Sequence, residues 1–372
     1  MKRDLVKFSA LVIALVLGIS CLTGCGLRTG NSADENTAIV FEGEKIGADE
    51  AEFYIRVIQY ETEASSASLI QAIYGDMTKF WANESEGKTF AEYAKTDAIS
   101  RLIQTKTLVK KAQDDKITLT ADETAKVDAA VAKFKETYKD VIEATGADDA
   151  MVRKYVEENT IAKKVYLSMI ADVDTSMDAA EMQRKSFEGV SIVGQTSVEA
   201  NEEKGIEAAE YTEEEAAANR KAAADEILEK MQNGTEITKI VEEYGERPEV
   251  SVSSFGTMTA APTDVPETAG EFTDFRQKAW TMSNGEYDTV ETKNSAGTAV
   301  YYVIHMVNDD DPDARAEAEK EELAKRKDTM FAEKYEAVKD KYSDYHVYES
   351  VLNKFKISDP IYVPVTSEAA ED

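Results

Sequence analysis

The chain has 372 residues, 42% hydrophobic and 31% charged, with a formal net charge of −30. That length accommodates two or three domains with ample core. A polyanion of this size disfavours nucleic acid and a basic membrane-surface patch, and it favours basic or partly unfolded polypeptide as a partner. At the N-terminus, Lys2, Arg3 and Lys7 precede an apolar run from about Phe8 to Leu22, followed by small residues. The run is shorter than the roughly 20 apolar residues of a membrane span. A charged start, a short apolar stretch and small residues together read as an export signal over 1–24. Only Cys21 and Cys25 carry thiols. With Cys21 inside the signal, the remaining chain has no cysteine pair for a disulfide, a metal or a nucleophile. Residues 25–36 read as a polar tether.

AIVFEGEKI, residues 38–46, alternates like a short strand with a glycine turn. A helical region follows to about residue 186. Residues 88–114 and 120–144 read as two long amphipathic helices. Thr145-Gly146-Ala147-Asp148-Asp149 stops one helix and starts another. In that next helix Val152, Tyr155, Val156, Val165, Tyr166 and Met169 recur at steps of three and four. Near residue 187 the texture changes: SFEGVSIVG is strand-like, and Val198 to Tyr211 is an acidic loop. A helix over 212–232 stops at Gly234, and a short helix follows. VSVSSFG (250–256) is a strand, 257–271 a Pro/Thr-rich loop, and EFTDFRQKAWTMSNGE a short helix ended by Asn284-Gly285. Residues 283–309 read as a hairpin ending in Tyr301-Tyr302-Val303-Ile304-His305-Met306-Val307. From Asp313 to about Lys356 the pattern is helical, with Pro312 suited to the first turn and a break near Ser343. An acidic tail closes the chain.

Leu22-Thr23-Gly24-Cys25 resembles the lipobox of bacterial lipoproteins, which implies cleavage before Cys25 and lipid on its sulfur. Several acyl chains suffice for stable anchoring, at about 0.8 kcal/mol per buried CH₂. Over 186–308 the order is strand, long helix, short helix, strand, helix, strand, strand. With ADEILEKMQNGTEITKIVEEYG, the SSFG strand end and FRQKAWTMSNGEYDTV, this segment resembles a parvulin-type peptidyl-prolyl isomerase domain. AIVFEGEKIGADEAEFYI and EATGADDAMVRKYVEENTIAKKVY resemble the N-terminal chaperone region of the extracytoplasmic foldases PrsA and SurA. The resemblance implies an α+β chain: a helical chaperone domain at 37–185, the parvulin-like domain inserted at 186–308, a helical segment at 309–360 packing on the first, and a tail at 361–372. It also implies clients, unfolded or nascent secreted proteins, and an extracytoplasmic, lipid-anchored location on the bacterial cell membrane.

Rotation about an X–Pro bond faces a barrier of about 18–20 kcal/mol. Catalysing it needs no nucleophile. It needs an apolar grip on the proline ring and polar groups that favour the twisted amide. By resemblance Phe275 is the pocket phenylalanine, Phe255 stands where a leucine is usual, and Trp280 supports them; Glu271 lies near the place of an absent methionine. The family's two histidines are missing. Ser191 stands at the first position. The second falls on Tyr302 if the hairpin tip holds extra residues, or on Ala299 in an ungapped match from Gly297. The acidic or thiol position falls at Glu246 or Arg247. Strand alternation points His305 away from Tyr302, and His346 lies far along the chain. No cofactor or metal is expected, since the run Asp309, Asp310, Asp311 and Asp313 lacks the glycine and distal glutamate of an EF-hand and reads as a solvated helix start. The functional expectation is a membrane-anchored foldase that isomerises, or only holds, X–Pro segments. A solute-receptor lipoprotein needs two α/β lobes, which the helical first half contradicts; a surface scaffold is the other alternative. The oligomeric state is left open.

Overall fold

A computed structural model describes residues 29–30, 34–201, 206–268 and 270–362. The expected export signal, Cys25, most of the tether and the tail from 363 onward lie outside the described residues. The chain is α+β and divides into two units, one ending at Val173 and resuming at Arg326, the other Asp174–Lys325.

The first unit is mainly helical, with long helices Ala48–Tyr74, Phe90–Asp114, Ala121–Thr137 and Asp149–Met169. Capping boxes start two of them, Thr89 with Glu92 and Thr120 with Glu123, each satisfying N–H groups that have no partner within the helix. Val152, Val156, Val165 and Met169 are buried, as their spacing predicts. The helix expected over 120–144 is broken at Tyr138. Its ring stacks on Phe134 (4.2 Å, 9°) and its hydroxyl donates to Glu61 Oε1 (3.0 Å), a burial that the non-helical backbone of this residue permits. AIVFEGEKI forms a hairpin of Thr37–Phe41 and Glu44–Gly47. Its two turn residues, Glu42 and Gly43, have φ of 48° and 79°, the signature of a tight hairpin turn that follows strand twist. The C-terminal segment, expected to be helical apart from the break, holds a strand at Tyr345–Tyr348 that pairs antiparallel with Thr37–Phe41. Val347 there is fully buried in the core with Ile39, and that cross-strand packing overrides helix propensity.

Three helices of this unit meet at an ion set around the buried Glu50. Lys106 Nζ lies 2.6 Å from Glu50 Oε1 and 2.6 Å from Glu158 Oε2, and Lys154 holds Glu50 Oε2 at 2.7 Å. Burial pushes Glu50 up, but Lys106 and Lys154 outweigh it and hold its carboxyl below the ordinary value.

In the second unit β1 (Lys185–Gly194), α1 (Glu213–Gln232), α2 (Ile237–Tyr244), β2 (Val250–Ala260), α3 (Phe275–Thr281), β3 (Tyr287–Lys293) and β4 (Ala299–Asn308) follow in the order read from sequence. The sheet runs β3-β4-β1-β2, antiparallel throughout. β2 extends to Ala260, into residues expected as loop, because Met258 and the fully buried Ala260 pack into the core beneath α3. The pleat divides the core in two. Val190, Ile192 and Val303 face α1 and α2 with Ala223, Ile227, Ile240 and Tyr244. Phe187, Ile304 and Met306 face α3 with Ala279 and Met282.

Lys106→Met removes the cation shared by the buried Glu50 and the half-buried Glu158. It should lower the first unit's stability by about 3–5 kcal/mol, read as a reduced urea midpoint; a midpoint within error of the parent would show the set to be solvated.

Candidate functional site

The α3-facing side of the sheet carries an aromatic cluster. Tyr302 on β4 stacks face to face on Phe275 of α3, with ring centres 4.2 Å apart and planes 8° apart. Phe255 lies 5.4 Å from Phe275 and 6.3 Å from Tyr302, and Phe187 lies 5.9 Å from both Phe255 and Phe275. All but Phe187 are partly exposed.

Two backbone features bring Phe255 there. Pairing between β1 and β2 shifts between Gly189 and Val190, so that Phe255 is an extra residue opposite neither. Gly256, at φ 63°, takes the left-handed conformation that glycine allows at such a bulge. Gly189 leaves room: a Cβ there would lie 2.0 Å from the Val303 carbonyl oxygen and 2.8 Å from Phe255 Cζ.

Tyr302 and Ala299, the two alternatives for the second histidine position, have different neighbours in the sheet. Tyr302 sits directly across from Ser191, whereas Ala299 pairs with Lys293 at the far end of the hairpin. Directly opposed residues share a face, so Ser191 and Tyr302 stand side by side. Ser191 Oγ donates to the Ser253 carbonyl at 3.3 Å. Burial, then the Asp274 carboxylate, pushes the Tyr302 phenol above its ordinary value of 10, with Arg276 opposing. The hydroxyl is therefore protonated at neutral pH and is a hydrogen-bond donor.

Other expected residues lie elsewhere. Trp280 belongs to the cluster but sits about 140° around α3 from Phe275, with Lys185 Nζ 5.3 Å above its ring. Arg247 is on the α2 side, paired with both oxygens of Glu226 (2.9 Å each) and lying over Tyr244. His305, as alternation predicts, faces away from Tyr302: it stacks on Tyr287 (4.1 Å) with Nδ1 3.0 Å from Glu188. His346 is in the first unit's sheet. Asp311 accepts from the Asp313 and Ala314 N–H groups and so caps a helix start, as its sequence suggested. Among the described residues no group of His, Cys, Asp and Glu is placed to hold a metal, and no helix is long and apolar enough to cross a membrane. Sequence reasoning missed Phe187, Met258 and Phe272, which complete the cluster. The alternation of Phe187, Gly189 and Ser191 along β1 was the available signal for the first.

The unit is thus an α+β domain with two helices on one side of its sheet and, on the other, an aromatic surface edged by hydroxyls. No protein-family model and no curated protein matches the chain. Among solved structures it is similar to the foldase protein PrsA from Lactococcus lactis, at 16% identity over 84% of this chain and 95% of that one, with a TM-score of 0.28. It is similar to the peptidylprolyl isomerase PrsA from Bacillus cereus, at 15% identity over 88% and 96%, with a TM-score of 0.27. A structure of a SurA-like chaperone from Campylobacter jejuni matches at 11% identity over 83% and 96%, with a TM-score of 0.27. At these scores the site has to be read from its own residues.

Gly189→Ala should destabilise the second unit by about 2–3 kcal/mol, because a backbone carbonyl cannot yield as a side chain can; an unchanged melting temperature would show that β1 shifts freely. A second expectation concerns acid. Hydrogen bonding to Arg247 is the largest cause holding Glu226 at about 2 against an ordinary 4.5. The pair's stabilisation is present above about 4.5 and fades as pH falls through about 2. Arg247→Met should therefore lower the urea midpoint near neutrality, with the difference closing towards pH 2; a constant difference would contradict the assignment.

Proposed function

We propose that the chain is an extracytoplasmic chaperone, tethered to the membrane by lipid on Cys25, whose second unit is a parvulin-like domain that holds proline-containing segments of unfolded secreted proteins. One observation carries the reading: Tyr302 occupies the face of Phe275. A proline ring between two aromatic planes needs a gap of about 7 Å, two van der Waals contacts, and the stack is 4.2 Å. The aromatic surface remains for a client, with Phe255 and Tyr302 partly exposed, while the slot between Tyr302 and Phe275 is filled by the protein's own ring. Holding an apolar segment uses such a surface; lowering a rotational barrier requires contacts that strengthen in the twisted amide. In the first unit Leu69 and Ile73, one helical turn apart and each 62% exposed, add apolar surface for the same clients.

A second reading, slow isomerisation, has one feature in its favour. Tyr302 supplies a protonated hydroxyl beside Ser191, and a donor aimed at the proline nitrogen would favour its pyramidal form.

The test is exchange NMR on a proline peptide together with aggregation of an unfolded client, using residues 26–372. The expected result is suppressed aggregation with cis–trans exchange at the uncatalysed rate. Phe255→Asp should weaken peptide binding about tenfold, the loss of one aromatic contact of roughly 1.4 kcal/mol. Exchange above background that Tyr302→Phe removes would establish the second reading. Absence of both activities would overturn the chaperone assignment.

A further inference from the structure

The first unit buries a carboxylate completely. Glu63 and its neighbour Gln59 are both 0% exposed in the helix Ala48–Tyr74. Four donors converge on Glu63: Gln59 Nε2 and Trp81 Nε1 on Oε1, and the backbone N–H groups of Ile361 and Tyr362 on Oε2, all at 2.8 Å. The last two belong to the C-terminal segment Lys356–Tyr362, which runs along this helix. Gln59 Nε2 also donates to the Asp359 carbonyl (2.8 Å), and Arg56 Nη1 to the Lys356 carbonyl (3.1 Å). Arg56, Gln59 and Glu63, at steps of three and four, form one stripe on the helix. Arg56 donates to Gln59 Oε1 at 2.8 Å, so the row is ordered along its length.

Each of these contacts to the segment is made to its main chain. Side chains enter at three places: Ile357 is buried in the core with Val347 and Leu352, Ile361 packs on the cluster of Phe53, Val57 and Val141, and the Tyr362 ring meets Tyr60 edge-on at 5.5 Å. Pro360, between the contacted carbonyl and the contacted amides, has no N–H to leave unpaired and a fixed φ. Main-chain hydrogen bonds for affinity with a few side-chain pockets for selectivity is the chemistry of extended-peptide recognition. Vacating the stripe would strip a buried carboxylate of two of its four donors, a state that favours any replacement carrying the same pair of N–H groups.

The geometry points to a peptide-binding groove along Arg56, Gln59 and Glu63, occupied in cis by Lys356–Tyr362 and open in trans to extended client segments with a proline followed by an apolar and an aromatic residue. This deepens the chaperone reading and rests on it. The tethered segment competes at a high effective concentration, so a free peptide binds only weakly until the cis copy is loosened.

The experiment uses the full chain and a labelled peptide of residues 356–362. Ile361→Asp, which loosens the segment without touching the stripe, should raise peptide affinity by about 10²-fold, and Glu63→Gln in that background should remove the gain. Native circular dichroism with no gain in affinity, or a gain that survives Glu63→Gln, overturns the proposal. Should Ile361→Asp not fold, hydrogen exchange on the unsubstituted chain decides. Excess peptide should accelerate exchange at the amides of Ile361 and Tyr362, and unchanged protection overturns the proposal. These amides report on the groove alone, whereas proline exchange and Phe255→Asp report on the second unit, so either reading can fail without the other.

Discussion

The second unit depends on the pleat of its two central strands, β1 and β4. Successive residues of β4 go to opposite faces, so two adjacent tyrosines enter different chemistries. Tyr301 packs on the helical side with the Arg220 guanidinium 5.9 Å above its ring, while Tyr302 stacks on Phe275. A slip of one residue would exchange them and carry His305 to the aromatic face. Gly189 lets β1 and β4 approach closely enough to hold that register, and Arg220, buried and paired with Glu291 on β3, fastens the helical layer to the sheet.

Local chemistry made much of this visible in the sequence. The order of strands and helices and the stop at Gly146 are carried by residues within a few positions of each other. Ser191, Phe255, Phe275 and Tyr302 were legible as a set, and the structure brings them to one face. Alternation alone placed His305 on the other. What could not be read depends on partners distant in the chain. The sequence left Tyr302 and Ala299 open because of the hairpin tip, where Asn294 Oδ1 accepts from the Ala296 and Thr298 N–H groups and Gly297 takes φ 81°. That tip sets the register of β3 on β4, and the pairing of β4 with β1 sets Tyr302 across from Ser191. The break at Tyr138 depends on Phe134 and Glu61, and the strand at Tyr345–Tyr348 on a hairpin some three hundred residues earlier. Trp280, expected by resemblance to support Phe275, packs against the same cluster while helical geometry turns it towards Lys185.

The stack of Tyr302 on Phe275 bears on what the aromatic face can do. Two flat rings in contact define a fixed surface, and a fixed apolar surface binds planar and twisted prolyl amides almost alike. Uniform binding of this kind holds a segment without speeding its rotation. Any selectivity for the twisted form has to come from the polar groups at the edge of that surface. Ser191 already spends its proton on the Ser253 carbonyl. The Tyr302 phenol beside it, which burial and Asp274 keep protonated, remains a donor, and the Arg276 guanidinium lies close by, 5.4 Å over the Phe275 ring.

Glu63 raises a different question of physical chemistry. In a chain with 73 acidic residues, most carboxylates stay in water, yet this one is fully buried and its hydrogen bonds come from an indole, an amide side chain and two peptide groups. An apolar residue of similar volume would avoid the desolvation cost and often gives equal or greater stability. It could not accept from consecutive peptide N–H groups. Two such N–H groups on neighbouring residues occur in any extended chain and vary little with sequence, whereas the pockets at Ile361 and Tyr362 do discriminate. A buried acceptor beside two apolar pockets thus separates what every peptide offers from what selects among peptides, and the protein's own C-terminal segment meets both requirements.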